Sequence, residues 1–287
     1  MDTGLILEGG GLRGVFTGGI LEFFMEKDLY FPYVIGVSAG ACNATSYLSR
    51  QRGRNKQVTI GYIQDPRYYS YSNIFKGKDI LGMDFLFDEI PKRLCPLDFE
   101  TFRNSKEKFV IVTTDCETGQ AVYFDKSEFQ DDDEYGLVVR ASSSLPFMTT
   151  AVSLRGYTLL DGGIADSIPI RKAQQDGMRK NVVLLTRERG YRKSVSNMGR
   201  GRQWMLKKMY GQYPKLIEAI VNRSQMYNET LAYIEALEDA GEILVIRPQE
   251  PVKVKRIERD IKKLEALYDQ GYQLAKQMYP QVIEYMT

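Results

Sequence analysis

Residues 34–44, VIGVSAGACNA, commit this chain to a buried strand that turns abruptly into a helix. Val34, Ile35 and Val37 are β-branched, and a helix of small residues opens at Ala39. Between them Gly36, Ser38 and Gly40 complete the pattern G-x-S-x-G, the nucleophile elbow. A strand reversing this sharply holds the serine backbone at strained angles and draws neighbouring chain into contact. Only residues without a Cβ fit on either side. The turn lifts the Ser38 hydroxyl clear of the sheet and leaves the N–H groups of Ala39 and Gly40 at a helix N-terminus, where negative charge is favoured. A plain serine in a tight turn satisfies the same five residues, so the pattern needs support from elsewhere.

One absence narrows the chemistry: the chain has no histidine. A Ser-His-Asp triad, a Cys-His pair and histidine-rich zinc sites are closed to it. If Ser38 is a nucleophile, another group takes its proton. With 287 residues the chain can bury a large core as one α/β domain, with or without a helical appendage. Its 39 basic and 37 acidic residues nearly cancel, which does not suggest a nucleic-acid partner. The N-terminal MDTGLILEGGG lacks a basic segment and reads as neither signal peptide nor anchor. Cys42, Cys95 and Cys116 are scattered, fit a reducing cytoplasm, and read as small buried hydrophobes.

Near the start, Leu5, Ile6 and Leu7 form a short buried strand running into Gly9, Gly10, Gly11, Leu12, Arg13 and Gly14, with a helix over Val15 to Lys27. GGGLRG satisfies G-x-G-x-x-G, and strand, glycine loop and helix is also what a dinucleotide site requires. That reading wants an acidic residue at the end of the second strand, where Gly36-Val37-Ser38-Ala39-Gly40 stands instead. The alternative is an oxyanion hole of exposed backbone N–H groups, with Arg13 adding positive charge. An oxyanion loop and a nucleophile elbow on successive strands support each other, since both then lie at one carboxyl edge.

Between residues 50 and 104, Asp79 to Leu94 is the clearest amphipathic helix. Tyr62, Tyr68, Tyr69 and Tyr71 read as packing, in a segment able to wall an apolar channel for an acyl chain. Lys108 to Thr114 is a buried strand, and Ala121 to Phe124 its hairpin partner at a sheet edge. Val139 to Pro146 is a helix ending before a proline. Two short strands around Gly156 follow, and the second delivers Asp161-Gly162-Gly163. A carboxylate at a strand end before two glycines can project into a cleft; it can equally be a turn residue accepting its own backbone N–H.

Beyond Asp161 come a helix over Ile168 to Asp176 and a strand over Asn181 to Thr186. Residues 187–208 then hold eight Lys or Arg and one acid, with Met198, Trp204 and Met205 interleaved, and Met209 just beyond. They read either as a solvated surface segment or as a basic flap docking on an anionic membrane. Pro214 to Ala240 is a long helix and Glu242 to Ile246 a last strand. From Val254 to the end the chain reads as helix broken near Gly271 and Pro280. Ile257, Ile261, Leu264, Leu267 and Tyr268 lie on one face, against the main domain or a second copy.

GGGLRG at 9–14, GVSAG at 36–40, ASSSLP at 141–146 and DGG at 161–163, in this order over the first two-thirds of the chain, resemble the four blocks of the patatin-like phospholipase family. The resemblance implies a three-layer α/β/α fold with a mostly parallel central sheet and a helical C-terminal extension. It implies a lipid acyl hydrolase with Ser38 as nucleophile, Asp161 as base and oxyanion donors from the Gly9 to Gly14 loop, needing no metal and no cofactor. Residues 1–186 would then be the catalytic core, and residues 187–287 the flap, long helix, last strand and extension. The expected partner is a phospholipid or other lipid ester, with a homo-oligomer left open and a cytoplasmic location, peripheral to the membrane through 187–208. A lipid-binding protein without catalysis on the same fold, or a nucleotide-binding protein, is the competing reading.

Overall fold

The computed structural model describes residues 2–70, 79–195 and 199–287, with only the backbone of residues 200 and 202. The first half runs β1 (Thr3–Leu7), α1 (Val15–Glu26), β2 (Tyr33–Val37), α2 (Ala39–Leu48), the short α3 (Arg54–Lys56) and α4 (Phe99–Asn104). Then come β3 (Lys108–Asp115), β4 (Ala121–Asp125), α5 (Asp132–Ser142), β5 (Val152–Leu154), β6 (Tyr157–Asp161) and α6 (Ile170–Gln175). The chain closes with β7 (Lys180–Leu184), α7 (Arg200–Tyr210), α8 (Pro214–Asp239), β8 (Ile243–Ile246) and α9 (Ile261–Met286).

The strands form one eight-stranded sheet. Strands β3, β2, β1, β7 and β8 are parallel neighbours, β4 and β6 each pair antiparallel with β3, and β5 pairs antiparallel with β6 at the sheet edge. Alternate side chains leave the sheet on opposite faces. Leu5 and Leu7 pack with α1, α2, α5 and α9, whereas Ile6, Ile35 and Val183 pack with α6 and α8. This is the three-layer α/β/α arrangement, with a core on each side of the sheet. Each fully buried leucine or phenylalanine contributes about 1.5–3 kcal/mol.

The register around β3 positions the site. Val112 pairs with Tyr123 of β4 and Val37 of β2, while the next residue, Thr113, pairs with Val122 of β4 and Asp161 of β6. Strand β4 therefore lines one edge of β3, and β2 and β6 share the other edge, meeting end to end. The last residues of these two strands, Val37 and Asp161, stand on consecutive rungs of one ladder. Rungs are spaced about 3.3 Å along the strand.

Two expected elements differ. The helix expected over Asp79 to Leu94 starts only at Met83 and is π-helical over Phe85–Leu94. Upstream, Leu81 bridges to Tyr69, and Asp79 accepts hydrogen bonds from the N–H and hydroxyl of Thr150. These contacts hold residues 79–81 outside the helix. The C-terminal helix begins at Ile261, where Asp260 caps it by accepting the Lys263 N–H, and runs unbroken through Gly271 and Pro280. Gly271 is a packing residue: a Cβ there would lie 2.1 Å from the Phe16 carbonyl, and one on Gly19 would lie 2.0 Å from that of Tyr268. The two glycines let α1 and α9 touch backbone to backbone. Pro280 and Lys276 are both exposed, so the carbonyl freed by the missing proline N–H faces water. Leu264, Leu267 and Tyr268 are buried within the chain, so the apolar face of α9 covers its own domain. Tyr71 and Met198 lie outside the described residues.

Candidate active site

Ser38 sits between β2 and α2 with φ 54° and ψ −121°, in the left-handed half of backbone space that a serine seldom enters. Its flanking glycines have a spatial cause. A Cβ on Gly40 would lie 2.5 Å from the Leu7 carbonyl, and one on Gly36 would lie 2.8 Å from the Ala41 nitrogen. The elbow is thus wedged between the end of β1 and the start of α2, which holds the strained conformation in place. Ser38 is 7 % exposed and lines a cavity of about 480 Å³.

The glycine loop lies directly against the serine, with a Cβ built on Gly9 falling 3.2 Å from Ser38 Cβ. Two of its N–H groups are committed: Gly9 donates to the Ser167 carbonyl at 3.5 Å, and Leu12 to the Arg256 carbonyl at 3.1 Å. Among the described hydrogen bonds none uses the N–H of Gly10 or Gly11. Gly11, Leu12 and Gly14 line the same cavity as Ser38. Arg13 carries a buried Nε without a partner.

Asp161 ends β6 at 1 % exposure. Its Oδ1 accepts the Gly163 N–H at 2.8 Å, as a turn aspartate would, and its Oδ2 is buried without a hydrogen-bond partner. Two chains of contacts tie it to Ser38. In one, the Ser38 N–H donates to Ser142 Oγ at 2.8 Å, and Ser142 Oγ donates to the Val112 carbonyl at 2.6 Å. A Cβ on Gly162 would fall 2.2 Å from that carbonyl. In the other, Gly9 rests on Ser38 and bonds Ser167, whose hydroxyl donates to Gly163 at 2.7 Å. Among the described residues no hydrogen bond joins Ser38 Oγ to Asp161 directly. Asp161 also acts electrostatically on two residues beside Ser38, with burial the larger influence on each. It adds to the raising of the Cys42 thiol and opposes the lowering of Arg256.

The cavity has mostly apolar walls, among them Tyr68, Leu81, Leu86, Phe87 and Leu145, so an acyl chain fits its chemistry. Ser142 belongs to a block the sequence singled out, yet no role for it was legible there. Ser167, Glu8, Arg223 and Arg256 were missed altogether, because no local pattern ties them to Ser38.

Part of the basic flap is pinned down. Arg189 pairs with Asp239 and Arg192 with Glu235, both on α8. On α7, Trp204 is 64 % exposed, with Met205 and Met209 also exposed and Lys208 over the Trp204 ring. Among the described residues no helix is long and apolar enough to cross a membrane.

A family model described as patatin-like phospholipase matches residues 5–173, and a domain of unknown function, DUF6363, matches residues 213–287. The uncharacterized protein YjjU of Escherichia coli (strain K12) is 31 % identical over 188 residues, which cover 63 % of this chain and 51 % of that protein. The match thus spans about half the length of this curated relative. Among solved structures, VipD from Legionella pneumophila aligns with a TM-score of 0.47 at 12 % identity, covering 97 % of this chain and 67 % of the other.

Proposed function

Because this chain belongs to the patatin-like phospholipase family, a group whose chemistry is lipid hydrolysis, we propose that it cleaves carboxylic esters of lipids through Ser38 and Asp161. The observation that carries this reading is the end-to-end meeting of β2 and β6 on consecutive rungs of β3, which brings the elbow and the carboxylate together without histidine. Asp161 accepts the Ser38 proton as the hydroxyl attacks the ester carbonyl, and the N–H groups of Gly10 and Gly11 receive the developing oxyanion. Collapse of this intermediate breaks the ester C–O bond as Asp161 returns the proton to the departing alcohol. Water then resolves the acyl-enzyme by the same route. A carboxylate is ordinarily a poor base for an alcohol, so the oxyanion donors bear much of the catalysis, each typically worth on the order of 10²–10³ in rate. Residues 1–186 carry this chemistry. Residues 187–287 complete the sheet edge, cover α1 and bring Arg256 to the glycine loop.

Exposed Trp204, Met205 and Met209 beside Lys207 and Lys208 support peripheral contact with an anionic membrane through α7. Trp204→Ala with Lys207→Glu and Lys208→Glu should weaken sedimentation with phosphatidylglycerol vesicles, and undiminished sedimentation removes this contact. For the activity itself, the purified chain should release fatty acid from mixed micelles of phospholipid, and Ser38→Ala protein with an unchanged circular dichroism spectrum should release none. Full release by that variant rejects the nucleophile.

A further inference from the structure

Behind the glycine loop five basic side chains gather: Arg13 from the loop, Arg187 and Lys193 after β7, Arg223 from α8 and Arg256 from the segment before α9. Among the described residues none of them makes an ion pair. The Nε of Arg13, Arg187 and Arg256 is buried with no hydrogen-bond partner. Arg187 lies over the Tyr191 ring at 4.4 Å and Lys193 over the Tyr227 ring at 3.4 Å, so aromatic faces stand where carboxylates would be expected. Glu8 acts electrostatically on Arg13 and Lys193, but its oxygens are already engaged. Thr186 donates its N–H and hydroxyl to Oε2 at 2.5 and 2.9 Å, and Tyr227 donates its hydroxyl to Oε1 at 2.7 Å.

The cations oppose one another. Burial, then repulsion from Arg223, Arg256 and Arg13, pushes Lys193 down to about 6, so at neutral pH its amine is mostly uncharged and takes up a proton when an anion enters. Burial and Arg223 bring Arg256 down to about 10, and burial with Arg187 and Arg256 lowers Arg13. Like charges held together away from water are costly, and an entering anion relieves that cost. Guanidinium groups with free N–H donors fit phosphate oxygens in a fork.

The cluster adjoins the candidate site. Arg256 lines the cavity with Ser38, its carbonyl receives the Leu12 N–H, and Arg223 donates from Nε to the Gly163 carbonyl, two residues past Asp161. We propose that Arg256, Arg223 and Lys193, with Arg13, form a cradle for the phosphodiester of a glycerophospholipid, holding it while Ser38 attacks the neighbouring acyl ester. The lipid half of this assignment rests on the hydrolase reading above; the affinity for phosphate does not.

The test uses the full chain and three probes: phosphatidylglycerol and diacylglycerol of the same acyl chains in neutral detergent micelles, and inorganic phosphate. The wild type should favour the phospholipid in kcat/KM by at least about tenfold, and Arg256→Gln combined with Lys193→Gln should cut that ratio by at least about tenfold. Inorganic phosphate should raise the Tm of the wild type and leave that of the double variant where it is. Lipid preference lost in the variant together with this Tm response assigns the cradle to the phosphate group itself. The same loss without a Tm response assigns it to the phosphodiester within a lipid. Equal kcat/KM for the two lipids, or an unchanged ratio in the variant, overturns the proposal. Where the double variant does not fold, Lys193→Gln alone carries the comparison. Should no ester be hydrolysed at all, the hydrolase reading fails. A phosphate-dependent Tm confined to the wild type then still upholds the anion site, and its absence overturns that site too.

Discussion

Ser142 Oγ stands between two strands, accepting the Ser38 N–H at 2.8 Å and donating to the Val112 carbonyl at 2.6 Å. One hydroxyl therefore clamps the elbow to β3, the strand whose next residue pairs with Asp161. The fold uses α5 to deliver this clamp, and the helix ends at Ser142 itself.

Ser142→Ala removes both bonds and leaves a buried N–H and a buried carbonyl facing a methyl group. The expected cost is about 1–3 kcal/mol in urea denaturation. A loss of kcat should accompany it, because the elbow gains freedom. A variant with wild-type stability and wild-type kcat would show that the strained turn holds itself without the clamp.

Close contact between α1 and α9 depends on Gly19 and Gly271. Gly19→Ala forces a methyl group to within 2.0 Å of the Tyr268 carbonyl unless the helices separate. The expected destabilisation is about 1–3 kcal/mol or more. Gly201→Ala, in α7 with open space around it, is the matched control and should be neutral or stabilising by up to about 1 kcal/mol. Equal midpoints for Gly19→Ala and the wild type would mean that α9 docks differently.

Burial raises Asp166 from 3.8 to about 6 in the folded chain, partly offset by the hydrogen bond that Tyr123 donates to it at 2.9 Å. Between those two values the folded state binds more protons than the unfolded one. Stability should therefore fall as pH rises from about 4 to 6, by on the order of 2–3 kcal/mol from this group. Asp166→Asn keeps an acceptor for Tyr123 and removes the titration. Denaturation midpoints of the two proteins should diverge across this window, with the variant more stable above pH 6, and parallel curves would contradict the assignment.

Much of the architecture was legible because local patterns decide it. The apolar runs Leu5 to Leu7 and Val34 to Val37, each stopped by glycine, mark β1 and β2 and hence the carboxyl edge where Ser38 stands. Patterns misled where tertiary contact overrides a residue's usual meaning. Gly271 reads as a helix breaker, yet it exists for the approach of Phe16. Residues 79–81 have helical periodicity but are captured by Tyr69 and Thr150. The cationic cluster was illegible for another reason: Arg13, Lys193, Arg223 and Arg256 are drawn from four separate segments and meet only in the folded chain.

Covalent labelling with a fluorophosphonate ester, located by mass spectrometry, probes the pairing of Ser38 and Asp161 most directly. The expected result is a single adduct on Ser38, abolished in Ser38→Ala and slowed by at least about a hundredfold in Asp161→Asn, whose amide still accepts the Gly163 N–H and keeps the turn. An adduct on another residue, or labelling of Ser38 at the wild-type rate in Asp161→Asn, would contradict a serine activated by this carboxylate.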